Sequence, residues 1–303
     1  MNQPLFWILF NVFALLVLAV DLWILNRRAR PMKFHQALAW SLTWIIFAAG
    51  FAVLLYFWYG RETSIEFTAA YLVEFSLSVD NLFIFLLLFR YFRVPAGLQH
   101  KVLSWGILGA LLMRGAFIVL GIELIRTFHW ILYVFGVFVI ASGIQLLRHR
   151  KLGMDLEKNP ALRWFRRWIP VTEDYEGEQF FVRRERLYAT PLLLVLLVVE
   201  TTDLLLATDS IPAAFAITLN PIIVYTSNVF ALLGLRSLFF VLSGMMEIFE
   251  YLHFGLAVVL IFIGAKMLAT DYYPIPTGLT LTIVAGVLLV SVVASIIHPG
   301  HEI

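Results

Sequence analysis

The sequence predicts an all-α, polytopic membrane protein of about nine transmembrane helices, built around an inverted repeat of three-helix units. Three observations carry this fold class: the composition, the length of the apolar runs, and the placement of the basic residues between them. Of 303 residues, 61% are hydrophobic and 14% charged, and the mean hydropathy is +0.89. A soluble domain is about 45–50% apolar and about 25% charged. The composition therefore excludes an ordinary soluble globular protein. Disorder is excluded too, since it needs few apolar residues and many charges. There is no Cys, so disulfide frameworks, thiolate metal sites and cysteine nucleophiles are ruled out. The basic residues form no stripe interleaved with aromatics, so nucleic acid is not an expected partner. Nine Trp in an aromatic content of 16% suit side chains anchored at a bilayer interface.

A crossing helix needs about 20 mostly apolar residues. Nine stretches meet or approach that length: 5–25, 38–59, 67–89, 102–122, 128–147, 188–217, 221–243, 252–269 and 277–297. The first reads as a permanent anchor rather than a cleavable signal, because Arg27, Arg28 and Arg30 follow it and no Lys or Arg precedes it. Arg27, Arg28, Arg30 and Lys33 separate it from the second. The second and third are divided by Arg61, and Arg90, Arg93 and Lys101 divide the third from the fourth. Arg126 lies between the fourth and fifth. The fifth and sixth are joined by the one long polar segment, about 149–187, whose borders carry Arg148, Arg150, Lys151, Lys158, Arg163, Arg166, Arg167, Arg183, Arg184 and Arg186. Alternate connections thus hold 17 of the 22 basic residues, and the others hold only Arg61 and Arg126. The positive-inside rule makes the basic side cytoplasmic. The N-terminus is then expected outside and the C-terminus in the cytoplasm.

Within the long segment, Asn159-Pro160 through Trp168 reads either as an amphipathic surface helix, with Leu162, Trp164, Phe165 and Trp168 against Arg163, Arg166 and Arg167, or as a solvated linker. Residues 1–303 are expected to form a single transmembrane domain.

The chain repeats itself weakly. Glu74-x5-Asp80-Asn81 parallels Asp203-x5-Asp209-Ser210, Arg114-x2-Phe117 parallels Arg236-x2-Phe239, and Gly143 parallels Gly264. Each unit, about 67–147 and 188–269, spans three helices. Three is odd, so the second unit starts on the opposite side of the membrane. Such inverted repeats are a common build for secondary transporters, with the substrate site near the midplane between the halves.

The two parallel segments also hold the intramembrane charge. A charged residue at the centre of a spanning helix costs about 2.5–3.5 kcal/mol on insertion scales, so it is a functional candidate by default. The third span carries Glu74, Ser78, Asp80 and Asn81; the sixth carries Glu200, Asp203, Thr208, Asp209 and Ser210. Glu74, Ser78 and Asn81 share one helix face, as do Glu200 and Asp203. Asp80 joins Glu74 only if the helix unwinds near Ser78. Pro212 lacks a backbone donor, which predicts a break around Thr208–Ser210. Five carboxylates against Arg114, Arg236 and Lys266 leave two negative charges if all are ionised and adjacent, the complement of one divalent cation. Oxygen ligands of this kind suit Mg²⁺, Ca²⁺ and Mn²⁺. The structural alternative is that the acids only pair with the three bases, and for Arg114, Arg236 and Lys266 clamping of carboxylates is the favoured role. Asp21, at a span end, is either a supporting residue or simply solvated. Gly109, Gly115, Gly121, Gly136 and Gly143 read as close-packing positions.

Glu74-x3-Ser78-x-Asp80-Asn81 and Glu200-x2-Asp203-x5-Asp209-Ser210-Ile211-Pro212-Ala213 resemble the two signature motifs of the TerC family, named for tellurite resistance. Thr226-Ser227-Asn228-x2-Ala231-x2-Gly234-Leu235-Arg236 and Gly264-x-Lys266-Met267-Leu268 are similar to further family stretches. The resemblance spans nearly the whole chain and is nearest to the Alx-type manganese exporters, within a wider LysE-like group. It implies Mn²⁺ efflux with no resident cofactor and no enzymatic activity, with Glu74, Asp80, Asn81, Glu200, Asp203, Asp209 and Ser210 at the ion site. Ser78, Thr208, Arg114, Arg236, Lys266 and Asp21 would support it. Phe75 and Leu206 depart from the family pattern beside those ligands. The expected partners are a divalent metal ion and the lipid bilayer. Proton exchange at Glu74 or Glu200 would complete the cycle. Two other readings stay open from sequence: a non-transporting scaffold that hands metal to partner or exported proteins, and a tellurite-resistance factor. An intramembrane aspartyl protease built on Asp80 and Asp209 is disfavoured, because Ala207-Thr208 replaces the Gly-x-Gly lead expected there.

Overall fold

The computed structural model describes residues 3–26, 34–148, 170–183, 186–243, 252–273 and 275–297. These form nine described helices: α1 (Gln3–Asn26), α2 (Phe34–Tyr59), α3 (Arg61–Tyr91), α4 (Ala96–Thr127), α5 (Ile131–Arg148), α6 (Pro191–Phe215), α7 (Pro221–Ser243), α8 (Leu252–Ala269) and α9 (Thr277–Ile297). Between α5 and α6 a short antiparallel hairpin pairs β1 (Phe181–Arg183) with β2 (Leu187–Ala189), Val182 standing opposite Tyr188. The protein is thus an all-α polytopic membrane protein. Six helices (α2, α3, α4, α6, α7 and α9) are long and apolar enough to cross a bilayer. The apolar stretches Phe6–Val17, Ile131–Leu147 and Phe254–Ala269 are shorter. At 1.5 Å per residue the 18-residue α5 and α8 reach about 27 Å, just under the roughly 30 Å hydrocarbon core.

Turn chemistry sets the helix boundaries. Between α2 and α3 the chain reverses through Gly60 at φ +93°, a conformation L side chains rarely adopt. Pro191 opens α6 at a position where its missing N–H costs nothing. Asn220 accepts a hydrogen bond from the Ile222 N–H at 3.1 Å and caps the start of α7.

Burial sorts the helices into layers. In the spanning windows of α3 and α7, 72% and 83% of residues are buried, against 22% for α2 and α9. α3 and α7 form the centre and pack on each other. The outer helices turn large apolar side chains outward, such as Ile46 and Phe57 of α2 and Leu289 and Val290 of α9, as a lipid-facing surface requires. α1 and α2 dock on this centre through a cluster of rings: Phe10, Phe51, Phe67 and Phe230.

The packing respects an exchange of the triplets α3–α5 and α6–α8. α3 packs on α7, and α4, the counterpart of α7, packs on α6; α5 and α8 pack on each other. Three contacts show that α3 and α6 run in opposite directions. Thr218, just past the end of α6, donates to Glu66 Oε2 in the first turns of α3 at 2.8 Å. Tyr175 and Glu178, leading into α6, touch the Phe92 carbonyl after α3 and Lys101 at the start of α4.

Two local expectations are corrected. α3 stays helical through Ser78–Asp80, and α6 stays helical from Pro191 to Phe215 with Pro212 inside it. Pro212 deprives one carbonyl of its donor, but the residues around it, Ser210 to Phe215, are all buried in packed neighbours, which hold the chain helical. The helix instead ends one turn later, where the Ala216 N–H bonds the Pro212 carbonyl. The 149–187 segment, expected to hold an amphipathic surface helix or a solvated linker, forms the hairpin in its described part, fastened by Lys101 over the Phe180 ring and by Trp105 edge-on to it. The amphipathic stretch 159–168 lies outside the described residues, as does the side chain of Asp21.

α5 and α8 approach until glycine is required. A Cβ on Gly264 would stand 2.7 Å from the Gly136 carbonyl oxygen and 3.0 Å from the Ile140 nitrogen. Those are backbone atoms, so the helices themselves must part. Gly264→Ala is expected to lower stability by about 1–3 kcal/mol, read as a drop in melting temperature of the detergent-solubilised protein. Gly286→Ala, which meets nothing within 4 Å, should be neutral or stabilising by up to about 1 kcal/mol.

Candidate functional site

Arg114, near the middle of α4, is 1% exposed and is among the largest fully buried side chains. Its guanidinium lies between four helices. Nη1 donates to Glu74 Oε1 of α3 at 2.6 Å and to Asn228 Oδ1 of α7 at 3.2 Å. Nε and Nη2 donate to the two carboxylate oxygens of Asp203 on α6 at 3.2 and 3.1 Å. The planar fork of Arg matches a carboxylate in this way, and each bond is charge-assisted. A guanidinium has five N–H donors, and four are engaged here. Glu74 and Asp203 are the repeat-related acids, so one cation from α4 joins the two halves.

The centre is left under-satisfied. Glu74 Oε2, Ser78 Oγ, Glu200 Oε2, Ser210 Oγ and Asn228 Nδ2 are buried without a hydrogen-bond partner. Buried polar atoms are rarely left so. Four of the five atoms are oxygens, the donor type that binds hard cations. Glu200 lies one turn before Asp203, and its carboxylate rests against Gly109 of α4, where a Cβ would collide with it. The glycine read from sequence as a packing position thus makes room for an acid. Beyond Asp203, toward the start of α4, a cavity of about 20 Å³ is lined by Leu82, Phe85, Ile107, Ala110, Val199 and Leu235, among others. That is room for about one water.

The five acids and three bases do not form one cluster. Asp209 accepts a hydrogen bond from Ser142 of α5 at 2.7 Å. Asp80 is half-buried, on a different face of α3 from Glu74 as an unbroken helix requires, and among the described residues it has no hydrogen bond or ion pair. Arg236 Nη1 donates to Ser104 of α4 at 2.7 Å. Lys266 interacts with Glu66 at the other end of the bundle. The Thr208 hydroxyl returns to the Leu205 carbonyl of its own helix, and Asn81 is buried. Among the described residues, no three acidic or His side chains stand together as a metal-holding set. The local balance is therefore Glu74, Asp203 and Glu200 against Arg114, again two negative charges in surplus when all are ionised. Sequence reasoning did not select Asn228, Ser142 or Glu66. Asn228 was legible as a polar residue inside an apolar run, whereas Ser142 carries no such signal.

The model of the integral membrane protein TerC family matches residues 59–300. The chain belongs to the TerC family. This TerC-family chain is 45% identical over 301 residues to an uncharacterised membrane protein of Myxococcus xanthus, covering 99% of this chain and 94% of the relative. It is 44% identical to Alx of Escherichia coli strain K12, described as a candidate membrane-bound redox modulator, over 96% of this chain and 94% of that one. A membrane protein of Rickettsia bellii is 38% identical over 96% and 97% of the two chains. No solved structure matches. The motif acids of this TerC chain thus lie within the matched region, and two of them, Glu74 and Asp203, bond to one arginine.

The geometry separates the acids energetically. Asp203→Asn removes the bidentate partner of a buried cation and is expected to cost about 3–5 kcal/mol. Asp80→Asn breaks no bond and should stay within about 1 kcal/mol. Unfolding in detergent reads both, and equal effects would contradict the Arg114 bridge.

Proposed function

We propose that this TerC-family protein exports Mn²⁺ from the cytoplasm across the bacterial inner membrane, with the ion gathered by oxygens of α3 and α6. The observation that carries this reading is the pair of unpartnered buried carboxylate oxygens beside Arg114, Glu74 Oε2 and Glu200 Oε2, with the unpartnered hydroxyls of Ser78 and Ser210 further along α3 and α6 on either side. They belong to repeat-related helices and stand beside a net negative centre. A divalent cation with carboxylate and hydroxyl ligands answers both needs at once.

Asp80 and Asp209 serve as way-stations in this reading. Each lies six residues beyond Glu74 or Asp203, which is about 9 Å along a helix. Because α3 and α6 run oppositely, the two lie on opposite sides of the central layer. Asp80 then receives the ion from the basic, cytoplasmic side and Asp209 passes it outward, as the repeats rock around the site. Protons returning through Glu74 or Glu200 supply the exchange. The redox role in the name of the Alx relatives is met here through the cargo: the chain has no Cys and thus no thiol chemistry of its own.

Flux of Mn²⁺ into proteoliposomes tests the proposal. Glu74→Gln and Glu200→Gln are each expected to lower the flux at least tenfold, and unchanged flux in both would overturn the site. Gly109→Ala should retain the fold, because only the far end of the Glu200 side chain must shift, yet raise the Mn²⁺ concentration needed for half-maximal flux. Mn²⁺ binding without flux in the wild type would instead mark a metal-donating scaffold.

A further inference from the structure

We infer that Arg114 is a tethered occupant of the ion seat, a latch that the transported cation must displace. The inference rests on the export reading and deepens it. Asp203 gives both of its oxygens to Arg114, and Glu74 gives one. With the guanidinium in place, Asp203 has no oxygen free of it and Glu74 has one, and no three acids among the described residues stand together as a metal-holding set. The same guanidinium ties α4 to α3, α6 and α7 in one step. Occupancy by the arginine and full coordination of a divalent cation by Glu74, Asp203 and Glu200 are therefore mutually exclusive. Their exchange couples ion binding to release of α4 from the opposite repeat.

Two features fit a latch better than a fixed counter-charge. A permanent structural pair is normally satisfied on all sides when buried. Here Glu74 Oε2 and Asn228 Nδ2, both on partners of the arginine, remain unbonded. Glu200 stands one turn from Asp203 with one buried oxygen unpartnered and its carboxylate against Gly109. The empty seat is thus neutralised in part by a charge that stays on the protein. An ion takes that place without exposing three bare carboxylates to the bilayer interior.

Mn²⁺ binding to the full-length protein in nanodiscs, titrated with manganese chloride alone, separates the possibilities. Arg114→Lys keeps the charge but loses the two-pronged grip, so a latch predicts binding at least threefold tighter than wild type. Arg114→Gln, if it folds, should bind at least tenfold tighter. Both variants should also gain more melting temperature on adding Mn²⁺ than the wild type does, because the ion replaces no existing bridge. Arg114→Lys binding like wild type, or more weakly, would overturn the latch, since a mere counter-charge is preserved in that variant. Wild type that binds no Mn²⁺ at all would overturn the export reading itself, and the latch with it.

Discussion

The bridge from Arg114 to Glu74 and Asp203 is the interaction on which the rest of the bundle depends. A charge in the bilayer interior is costly, and three together are affordable only when they satisfy one another. α3, α4, α6 and α7 must therefore meet at one depth, with Arg114, Glu74, Asp203 and Asn228 in register. The apolar packing around them is tolerant: lipid and neighbouring helices offer similar surroundings to a Leu. The polar centre is what gives the four helices a single arrangement.

The same constraint explains why the outer helices look so different. α2 and α9 bury little of their length and present Phe, Trp, Leu and Val outward. Their attachment relies on aromatic contacts and on close approach at small residues. The α5–α8 pair sits at the opposite extreme, with Gly136, Gly143 and Gly264 allowing backbone to meet backbone.

The site combines two opposing demands. A buried carboxylate must be neutralised to stay in the membrane, yet the ion site proposed at this centre must leave ligands unsatisfied. Arg114 meets the first through four donated bonds, and in the proposed reading the unpartnered oxygens of Glu74 and Glu200 meet the second. Hence the centre is incompletely bonded in a protein whose core is otherwise closely packed.

By itself the sequence determined the membrane class, the helix series, the repeat and the acidic motifs, because these depend on local composition and on spacing along one chain. Glu74 and Asp203 were legible since any charge in an apolar run stands out. Which base meets which acid was not legible. Arg114, Arg236 and Lys266 look alike in sequence, but only packing places Arg114 on the motif acids, Arg236 on Ser104 and Lys266 by Glu66. The continuity of α6 through Pro212 was likewise a tertiary outcome: a local rule predicts a break, and burial of the surrounding turn overrides it. The space for Glu200 at Gly109 exists only between two helices far apart in the chain, so the structure alone could reveal it.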